Sequence, residues 1–336
     1  EQNMSESQSG LVVVHSDEYA NWVFDPTHPT QGRRFINGLN AIQERLGNFR
    51  IIAPRRASWE ELALVHSEEY IAEVLKEARC GEWVGVRKDL ADLAQKFAGG
   101  TLVALEELLE GRAKVAVHLP GAKHHAQRDH ASGFCVFADF AMAAKVAVSR
   151  GLKVAIFDFD AHHGDGTENL CADDPNILTY SVHEEGIFPY SGLRSVPRKH
   201  VYNRPIRTIG NRRQKEDLLA QDWRIGDFDE DYLGGTEDEW QLIEAAGEFR
   251  TLAEEFGADI IFIAAGADGH HDDPLSNLTY SPGGLIKVFG NLFSRWQPKD
   301  VPVLIGGAGG YRPDDATPEM WASTVEWVAS FNGCRW

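Results

Sequence analysis

Short apolar stretches alternate with longer amphipathic stretches along most of the 336 residues, and this alternation restricts the fold more than any other feature. The apolar stretches have the length of strands, and the amphipathic ones have helical spacing. Strands that alternate with helices predict a parallel sheet covered by helices on both faces. No internal repeat and no long linker rich in Pro or Ser divides the chain. We therefore expect a single α/β domain with a central, mostly parallel β-sheet.

The elements follow from these patterns. Strands are predicted at residues 11–14, 51–53, 114–117, 153–159, 177–182, 259–264 and 301–305. Helices are predicted at residues 33–46, 68–78, 95–109, 137–148, 237–256, 283–296 and 318–331. Ser58 and Glu61 have the spacing of a helix-capping box. Residues 1–10 are polar and are expected to form a disordered tail, so that the domain spans 11–336.

The stretch 191–235 carries no predicted element. It begins with many basic residues and turns acidic near its end. A charged run is usually a solvated face, although a loop of this length in a compact domain is often functional or mobile.

The composition limits the function classes. A net charge of −18 argues against a nucleic-acid-binding protein and favours cationic substrates, although many cytosolic proteins are simply acidic. No apolar run approaches the length of about 18 residues that a membrane helix needs, and no signal-peptide core is present. The cysteines are widely separated and form no C-x-x-C pair, which suits a reducing compartment; they are Cys80, Cys135, Cys171 and Cys334. We expect a cytoplasmic protein without a membrane partner.

Polar side chains cluster where the predicted strands end, which is where open α/β sheets bind their ligands. Asp158, Asp160 and His162 alternate after one strand, so they point the same way if the extended backbone continues. Asp268 follows a run of small residues after another strand and is the natural third metal ligand. Asp160, His162 and Asp268 with an open fourth position are typical of a catalytic divalent site. Zinc fits best, while iron(II) and manganese also suit these ligands.

Two further strand ends carry candidate catalytic groups. His124 and His125 are adjacent, which suits general-base and general-acid roles beside a metal. Asp158 and Asp165 are the carboxylates available to orient these two imidazoles. Tyr311 follows a Gly-Gly-Ala-Gly-Gly run and is a candidate donor to a developing oxyanion. The alternative for each residue is packing or helix capping, and the convergence of four strand ends favours the catalytic interpretation.

These residues resemble the arginase–deacetylase superfamily, specifically its zinc-dependent histone deacetylase-like amidohydrolases. The matching runs occur in the family's order across roughly 11–331, namely 124–126, 131–135, 158–166, 266–268 with 273–275, and 309–311. The runs 132–135 and 268–275 look closest to bacterial deacetylases of the acetoin-utilisation kind. The resemblance implies the arginase/deacetylase fold.

The resemblance also implies roles for the site residues. One Zn²⁺ per chain would be bound by Asp160, His162 and Asp268. His125 would be the general base, with His124 as its electrostatic partner and candidate proton donor. Asp158 and Asp165 would orient these histidines. Tyr311 would polarise the amide carbonyl.

Three other sites follow from the resemblance. A potassium ion would lie behind the zinc ligands, at Asp158, Asp160, His162, Ser181 and Val182. A narrow substrate tunnel would be walled by Gly133, Phe134 and Phe188. Arg33 or Arg34 would lie at the inner cavity that accepts the released acid. The rim segment Asp-Cys-Pro has no clear counterpart in 81–97, where the candidate substitutes are Glu82, Asp89 and Asp92.

The expected activity is removal of an acetyl or other short acyl group from an amine, such as a lysine side chain of a protein. The alternative substrate is a small acylated amine such as an acetylpolyamine, and a constriction of the mouth by 191–235 would favour it. The ureohydrolase branch needs two manganese ions, to which His163 and Gly164 are poorly suited. A catalytically inactive binding module is disfavoured because every expected ligand is present. Acyl length and oligomeric state stay open.

Overall fold

The computed structural model describes residues 10–208, 236–294 and 300–336. Within these ranges, eight strands form one sheet in the order β2-β1-β3-β8-β7-β4-β5-β6, and all neighbouring strands are parallel. The strands are β1 (Leu11–Val14), β2 (Arg50–Ile52), β3 (Val115–His118), β4 (Val154–Asp158), β5 (Ile177–Glu184), β6 (Val201–Ile206), β7 (Ile260–Ala264) and β8 (Val303–Gly306). The predicted α/β fold with a parallel sheet is confirmed.

Helices cover both faces of this sheet. Along the described chain they are Arg33–Leu46, Trp59–Leu62, Glu68–Leu75, Lys88–Leu109, Asp139–Ser149, Asp165–Cys171, Glu237–Phe256, Leu285–Phe293 and Ala316–Phe331. One layer joins the helices Arg33–Leu46, Ala316–Phe331, Leu285–Phe293 and Glu237–Phe256, and the helices Lys88–Leu109 and Asp139–Ser149 pack together in another. Because the sheet is covered on both sides, central strands such as β7 are continuous apolar runs, and Ile260–Ala264 is buried throughout.

The sheet order brings the polar strand ends together. The four strands that precede the candidate site residues are β3, β8, β7 and β4, and they are consecutive neighbours in the sheet. All run in the same direction, so their carboxyl ends meet at one edge. The loops after these strands therefore meet above the centre of the sheet.

Several boundaries differ from the predicted ones. The helix Lys88–Leu109 begins before residue 95, because Leu90 and Leu93 continue its buried face. The strand β6 lies inside the charged stretch and was not predicted. Among the described strands it lies at the edge of the sheet beside β5, so it tolerates Arg204 and Pro205, which a central strand would not.

Some predictions fall outside the described residues. These are the tail at 1–9, the part of the charged stretch at 209–235, and the last two residues of the helix predicted at 283–296. Gly10, which was assigned to the tail, is part of the fold, since its carbonyl accepts hydrogen bonds from the amides of Lys114 and Val115.

Within the described ranges, no helix combines the length and the apolar character needed to cross a membrane.

Candidate active site

Asp160, His162 and Asp268 form a buried cluster at the carboxyl edge of the sheet, where their ligand atoms all lie within 4.8 Å of one another. The Nδ1 atom of His162 is 2.8 Å from Oδ2 of Asp268 and 3.2 Å from Oδ1 of Asp160. Zinc–ligand distances of about 2.0–2.2 Å in a tetrahedron correspond to ligand separations of roughly 3.3–3.6 Å. The two distances from His162 lie slightly below this range, and all three donors are close enough for one ion to reach them.

Backbone amides hold the two carboxylates in place. Oδ2 of Asp160 accepts a hydrogen bond from the amide of Gly309 at 2.7 Å, and Oδ1 of Asp268 accepts one from the amide of Ala161 at 2.9 Å. A Cβ atom on Gly309 would lie 2.6 Å from Oδ2 of Asp268 and 2.7 Å from Oδ2 of Asp160. Only glycine lets the loop after β8 approach both carboxylates this closely.

The two buried carboxylates of this cluster, Asp160 and Asp268, favour the binding of a positive charge. Burial and the neighbouring Asp160 carboxylate raise the pKa of Asp268 to about 6. Burial acts to lower the pKa of His162, but its contacts with Asp160 and Asp268 outweigh burial and raise that pKa well above the usual range. Two buried carboxylates with one imidazole thus attract either protons or a cation, and metal binding would displace those protons. The donor set fits a divalent metal.

The two adjacent histidines each contact their own carboxylate. Nδ1 of His124 is 2.6 Å from Oδ2 of Asp158, and Nδ1 of His125 is 2.7 Å from Oδ1 of Asp165. The two imidazole centroids are 4.0 Å apart. Because the carboxylates accept from Nδ1, both Nε2 atoms are left facing the site. The predicted pairing of Asp158 and Asp165 with the histidines matches this geometry.

The surroundings push the pKa values of the two histidines apart. Burial and the positive charge of His124 lower the pKa of His125 to about 4, so its imidazole is neutral at neutral pH. Burial acts against His124 as well, but Asp158 and Asp160 outweigh it and raise the pKa of His124 to about 9. The pair therefore offers a neutral base beside a charged imidazolium, which is the division of roles that acid–base chemistry requires.

Tyr311 follows the glycine-rich loop after β8, and its phenol stays protonated. Burial, together with the charges of Asp268 and Asp160, raises the pKa of its phenol well above the usual range. Its backbone amide donates to Oδ2 of Asp273 at 2.8 Å, and its ring packs edge-on to Phe134 at 5.9 Å between centroids. The hydroxyl is thus available as a hydrogen-bond donor.

An outer cavity of about 390 Å³ opens in front of these groups. It is lined by Glu82, His125, Gly133, Phe134, His162, Ile187, Phe188, Leu275 and Tyr311. The ring of Phe188 packs edge-on to His125 at 5.0 Å between centroids. A Cβ atom on Gly133, whose φ is +53°, would lie 2.5 Å from Cδ2 of His125. The three residues predicted to wall the tunnel all line this cavity.

Of the three acidic candidates for the rim, only Glu82 lines the outer cavity, where its Oε2 accepts from the amide of Phe134 at 3.1 Å. Asp89 pairs with Arg87, and Asp92 pairs with Arg56 and Lys96 on the surface.

A second, inner cavity of about 20 Å³ adjoins the candidate catalytic groups. Its lining includes Arg34 and Lys123 together with His124, His125 and Tyr311. The prediction of Arg33 at this position is wrong, because its guanidinium pairs with Asp314 at 2.8 Å on the surface. Successive helical residues point about 100° apart, so only one of the two arginines can face the site.

The remaining predicted residues surround the cluster. Ser181 and Asp158 are register partners across β5 and β4, and Oγ of Ser181 accepts from the amide of Gly164 at 3.4 Å. Val182 is buried next to Ser181. His163 turns away from the metal cluster and contacts Ser191 and Glu168. Reasoning from the sequence gave no role to Lys123, Ile187 or Leu275; the available signals were a lysine directly before the His pair and the position of Leu275 in the matching run 273–275.

Comparisons with known proteins agree with this geometry. Residues 25–328 match the histone deacetylase domain family. Acetoin utilization protein AcuC of Bacillus subtilis (strain 168) is 30% identical, covering 93% of this chain and 80% of that protein. Histone deacetylase 8 of Xenopus tropicalis is 27% identical, covering 89% of this chain and 79% of that protein. The crystal structure of the HDA15 HD domain superposes with a TM-score of 0.75 at 21% identity, covering 97% of this chain and 91% of that one.

The structural match supports the fold alone, whereas the domain match and the AcuC relatives support the activity and confirm the resemblance seen in the motifs. The chain belongs to the histone deacetylase family and is a hydrolytic deacetylase close to AcuC.

Proposed function

We propose that this deacetylase removes an acetyl or other short acyl group from an amine such as a lysine side chain of a protein. The observation that carries the proposal is that His125 and Tyr311 both line the outer and the inner cavity. An extended substrate would therefore keep its amine portion in the outer cavity and present its amide to both groups.

Proteins of this family are generally zinc-dependent, and we propose that Asp160, His162 and Asp268 hold one Zn²⁺. Zinc there would supply a Lewis acid that polarises the amide carbonyl and acidifies water. We also propose, from the resemblance, that K⁺ binds behind this cluster, with contributions from Asp158, Asp160, His162, Ser181 and Val182.

The chain's own residues would carry the proton transfers. Nε2 of neutral His125 takes a proton from the attacking water, while Asp165 holds the imidazole at Nδ1. As the new C–O bond forms, the phenol of Tyr311 donates a hydrogen bond to the carbonyl oxygen. When the C–N bond breaks, the amine nitrogen receives a proton from the histidine pair, in which His124 is held charged by Asp158. The products are a free amine and a carboxylate.

The test is a hydrolysis panel of acetyl-lysine peptides, acetylpolyamines and longer acyl-lysines, with zinc content measured for each variant. We expect His125→Ala and Tyr311→Phe each to lower turnover by about 10²–10³-fold or more while zinc stays bound. Matched controls are His130→Ala, whose side chain is exposed, and Tyr202→Phe on the edge strand. Full activity of either active-site variant would refute this mechanism, and two tightly bound manganese ions would refute the single zinc.

A small acylated amine is the second candidate substrate, and Glu82 is the observation that favours it. Its carboxylate lines the outer cavity, and no Lys or Arg of the described chain forms an ion pair with it. A cationic amine in that cavity would meet this carboxylate, and the net charge of −18 would attract such a substrate. Glu82→Gln should then raise KM for acetylpolyamines and leave KM for a neutral acyl-lysine peptide unchanged. An equal effect on both substrates would contradict a polyamine-specific role.

We place the protein in the cytoplasm. The four cysteines are free and buried, which suits a reducing compartment. Fractionation of the native cells tests this placement.

A further inference from the structure

A row of four buried polar side chains ends on the backbone of the loop that leads into the candidate catalytic histidines. These residues, which together form the polar relay, are Tyr19, His118, Thr101 and Asp139. They come from four separate elements, namely the short 3-10 helix Asp17–Asn21, the end of β3, the helix Lys88–Leu109 and the first residue of the helix Asp139–Ser149. Each side chain belongs to a residue that is at most 1% exposed, so water does not compete for the contacts between them.

Neighbouring members of the polar relay lie within hydrogen-bond distance. The hydroxyl oxygen of Tyr19 is 2.8 Å from Nε2 of His118, and Oγ1 of Thr101 is 2.9 Å from Nδ1 of the same imidazole. Oγ1 of Thr101 also donates to Oδ2 of Asp139 at 2.6 Å. The relay is therefore continuous from the phenol of Tyr19 to the carboxylate of Asp139.

The carboxylate of Asp139 holds the backbone of the loop that follows β3. Its Oδ2 accepts from the amide of Ala122 at 2.9 Å, and its Oδ1 accepts from the amide of Lys123 at 2.7 Å. The next two residues along the chain are His124 and His125. The position of this carboxylate thus sets the position of the backbone directly before the histidine pair.

Two glycines let the chain approach the polar relay closely. A Cβ atom on Gly121 would lie 3.0 Å from Oγ1 of Thr101 and 3.2 Å from Oδ2 of Asp139. A Cβ atom on Gly100 would lie 2.4 Å from Nε2 of His118. The absence of a side chain at both positions is what allows these contacts.

The chemistry of the four groups fixes the direction of each hydrogen bond. An ionised carboxylate can only accept, so the hydroxyl of Thr101 donates to Asp139 and accepts from Nδ1–H of His118. Nε2 of His118 then accepts from the hydroxyl of Tyr19. Burial lowers the pKa of His118 well below its usual range, which agrees with a neutral imidazole that carries one N–H. Because every bond points the same way, the bonds of the relay strengthen one another.

We propose that Thr101 and Asp139 are positioning residues for deacetylation, which fix the backbone from which His124 and His125 act. This inference rests on the proposed function, in which these histidines carry the proton transfers. Catalytic groups need a working geometry that is held to fractions of an ångström, and groups on loops are placed less precisely than groups on helices or strands. The polar relay ties this loop to a helix on either side. Thr101 is the link whose removal is easiest to test, since its hydroxyl joins His118 to Asp139.

The test compares two substitutions of Thr101. Thr101→Val keeps the shape of the side chain and removes the hydroxyl, whereas Thr101→Ser keeps the hydroxyl and removes a methyl group. Thr101→Val should lower kcat for an acetylated amine by about tenfold or more, with KM changed by less than about twofold and the zinc content unchanged. Thr101→Ser should keep kcat within about twofold of the native value, whatever its free energy of unfolding.

The matched control is Thr279→Val. Oγ1 of Thr279 also donates to a buried carboxylate, that of Asp238 at 3.0 Å, but Asp238 belongs to the start of the helix Glu237–Phe256. This variant should keep the native kcat. An unchanged kcat in Thr101→Val would overturn the inference. An equal loss of kcat in Thr101→Val and Thr101→Ser would also overturn it, because the hydroxyl would then not be the group that matters.

Hydrogen exchange at the amides of Ala122 and Lys123 gives a readout that needs no substrate. These amides should exchange about tenfold faster or more in Thr101→Val, because a carboxylate without the bond from Thr101 holds them less firmly. They should exchange at the native rate in Thr101→Ser. Native exchange in Thr101→Val would overturn the positioning role even if that variant were less active.

The two proposals can fail separately. Hydrolysis of acetylated amines with the same kcat in Thr101→Val and the native chain would overturn the positioning role alone. Faster exchange in Thr101→Val, together with no hydrolysis of any acylated amine by the native chain, would support the hold on the loop and refute the proposed function.

Discussion

His66 holds together the two ends of the segment 127–138, which follows His124 and His125, and this contact makes the stability of the protein depend on pH. Its Nδ1 donates to the carbonyl of Gln127 at 2.9 Å, and its Nε2 accepts from the amide of Ala138 at 2.9 Å. One neutral imidazole thus joins both ends of the segment that contains Gly133 and Phe134. Protonation would place a second N–H against the amide of Ala138.

The size of the effect follows from the pKa. Burial lowers the pKa of His66 to about 4 from its ordinary value of 6.5. The unfolded chain therefore binds a proton more readily than the folded chain, so stability is fully present above pH 6.5 and is lost as pH falls toward 4. At about 1.36 kcal/mol per pKa unit, His66 contributes roughly 3 kcal/mol in total, of which about 2 kcal/mol is lost between pH 7 and pH 5.

The assay is urea unfolding of the native chain and of His66→Gln at pH 7, 6 and 5. Glutamine keeps an acceptor near the amide of Ala138 but does not titrate. The free energy of unfolding of the native chain should therefore fall by about 2 kcal/mol more than that of the variant over this range. The exposed His130→Gln is the control and should follow the native chain. Parallel pH profiles for the native chain and His66→Gln would refute the reasoning.

Three other predictions concern glycine and arginine positions near the site. Gly133→Ala should lower kcat by more than tenfold without unfolding the protein, because its Cβ would lie 2.5 Å from Cδ2 of His125; unchanged kcat in steady-state kinetics would contradict this. Gly309→Ala should weaken zinc affinity by about 10–100-fold in a chelator competition, because its Cβ would displace the carboxylates of Asp160 and Asp268. Unchanged zinc affinity would show that the loop after β8 can move away from these carboxylates. Arg33→Gln should change the free energy of unfolding by less than about 1 kcal/mol, because the ion pair with Asp314 is exposed. It should also leave hydrolysis unaffected. A large loss of activity would indicate that Arg33 acts at the inner cavity after all.

Local sequence patterns were sufficient to predict the bounds of those helices and strands that are set by residues close together in the chain. The helix Glu237–Phe256 begins after Thr236, whose side chain caps the amide of Glu239, and ends at Gly257 in the left-handed region. Such caps act within one turn, so the predicted bounds agree with the observed ones. The strand predicted at 259–264 begins one residue later in the structure, as β7, and its apolar run is buried inside the sheet.

The candidate metal and catalytic residues could also be selected early, because each follows an apolar strand and parallel strands end at a common edge. What the sequence could not supply is the order of the strands. The structure places β3, β8, β7 and β4 side by side. This order brings together the residues that follow these strands, although up to 186 positions separate them in the chain; they are His125, Tyr311, Asp268 and Asp160.

The tertiary structure alone decided which long side chains face the cavities. Arg34 and not Arg33 is buried, Glu82 and not Asp89 reaches the outer cavity, and Lys123 lines the inner one. Each outcome depends on the packing of segments that are distant in sequence, such as the helix Arg33–Leu46 against Ala316–Phe331. The sequence by itself thus determined the fold class and selected the candidate residues of the reacting centre. The tertiary structure decided which charged side chains surround that centre. A side chain reaches a cavity wall because of contacts between segments that are distant in sequence, and a local sequence pattern does not contain those contacts.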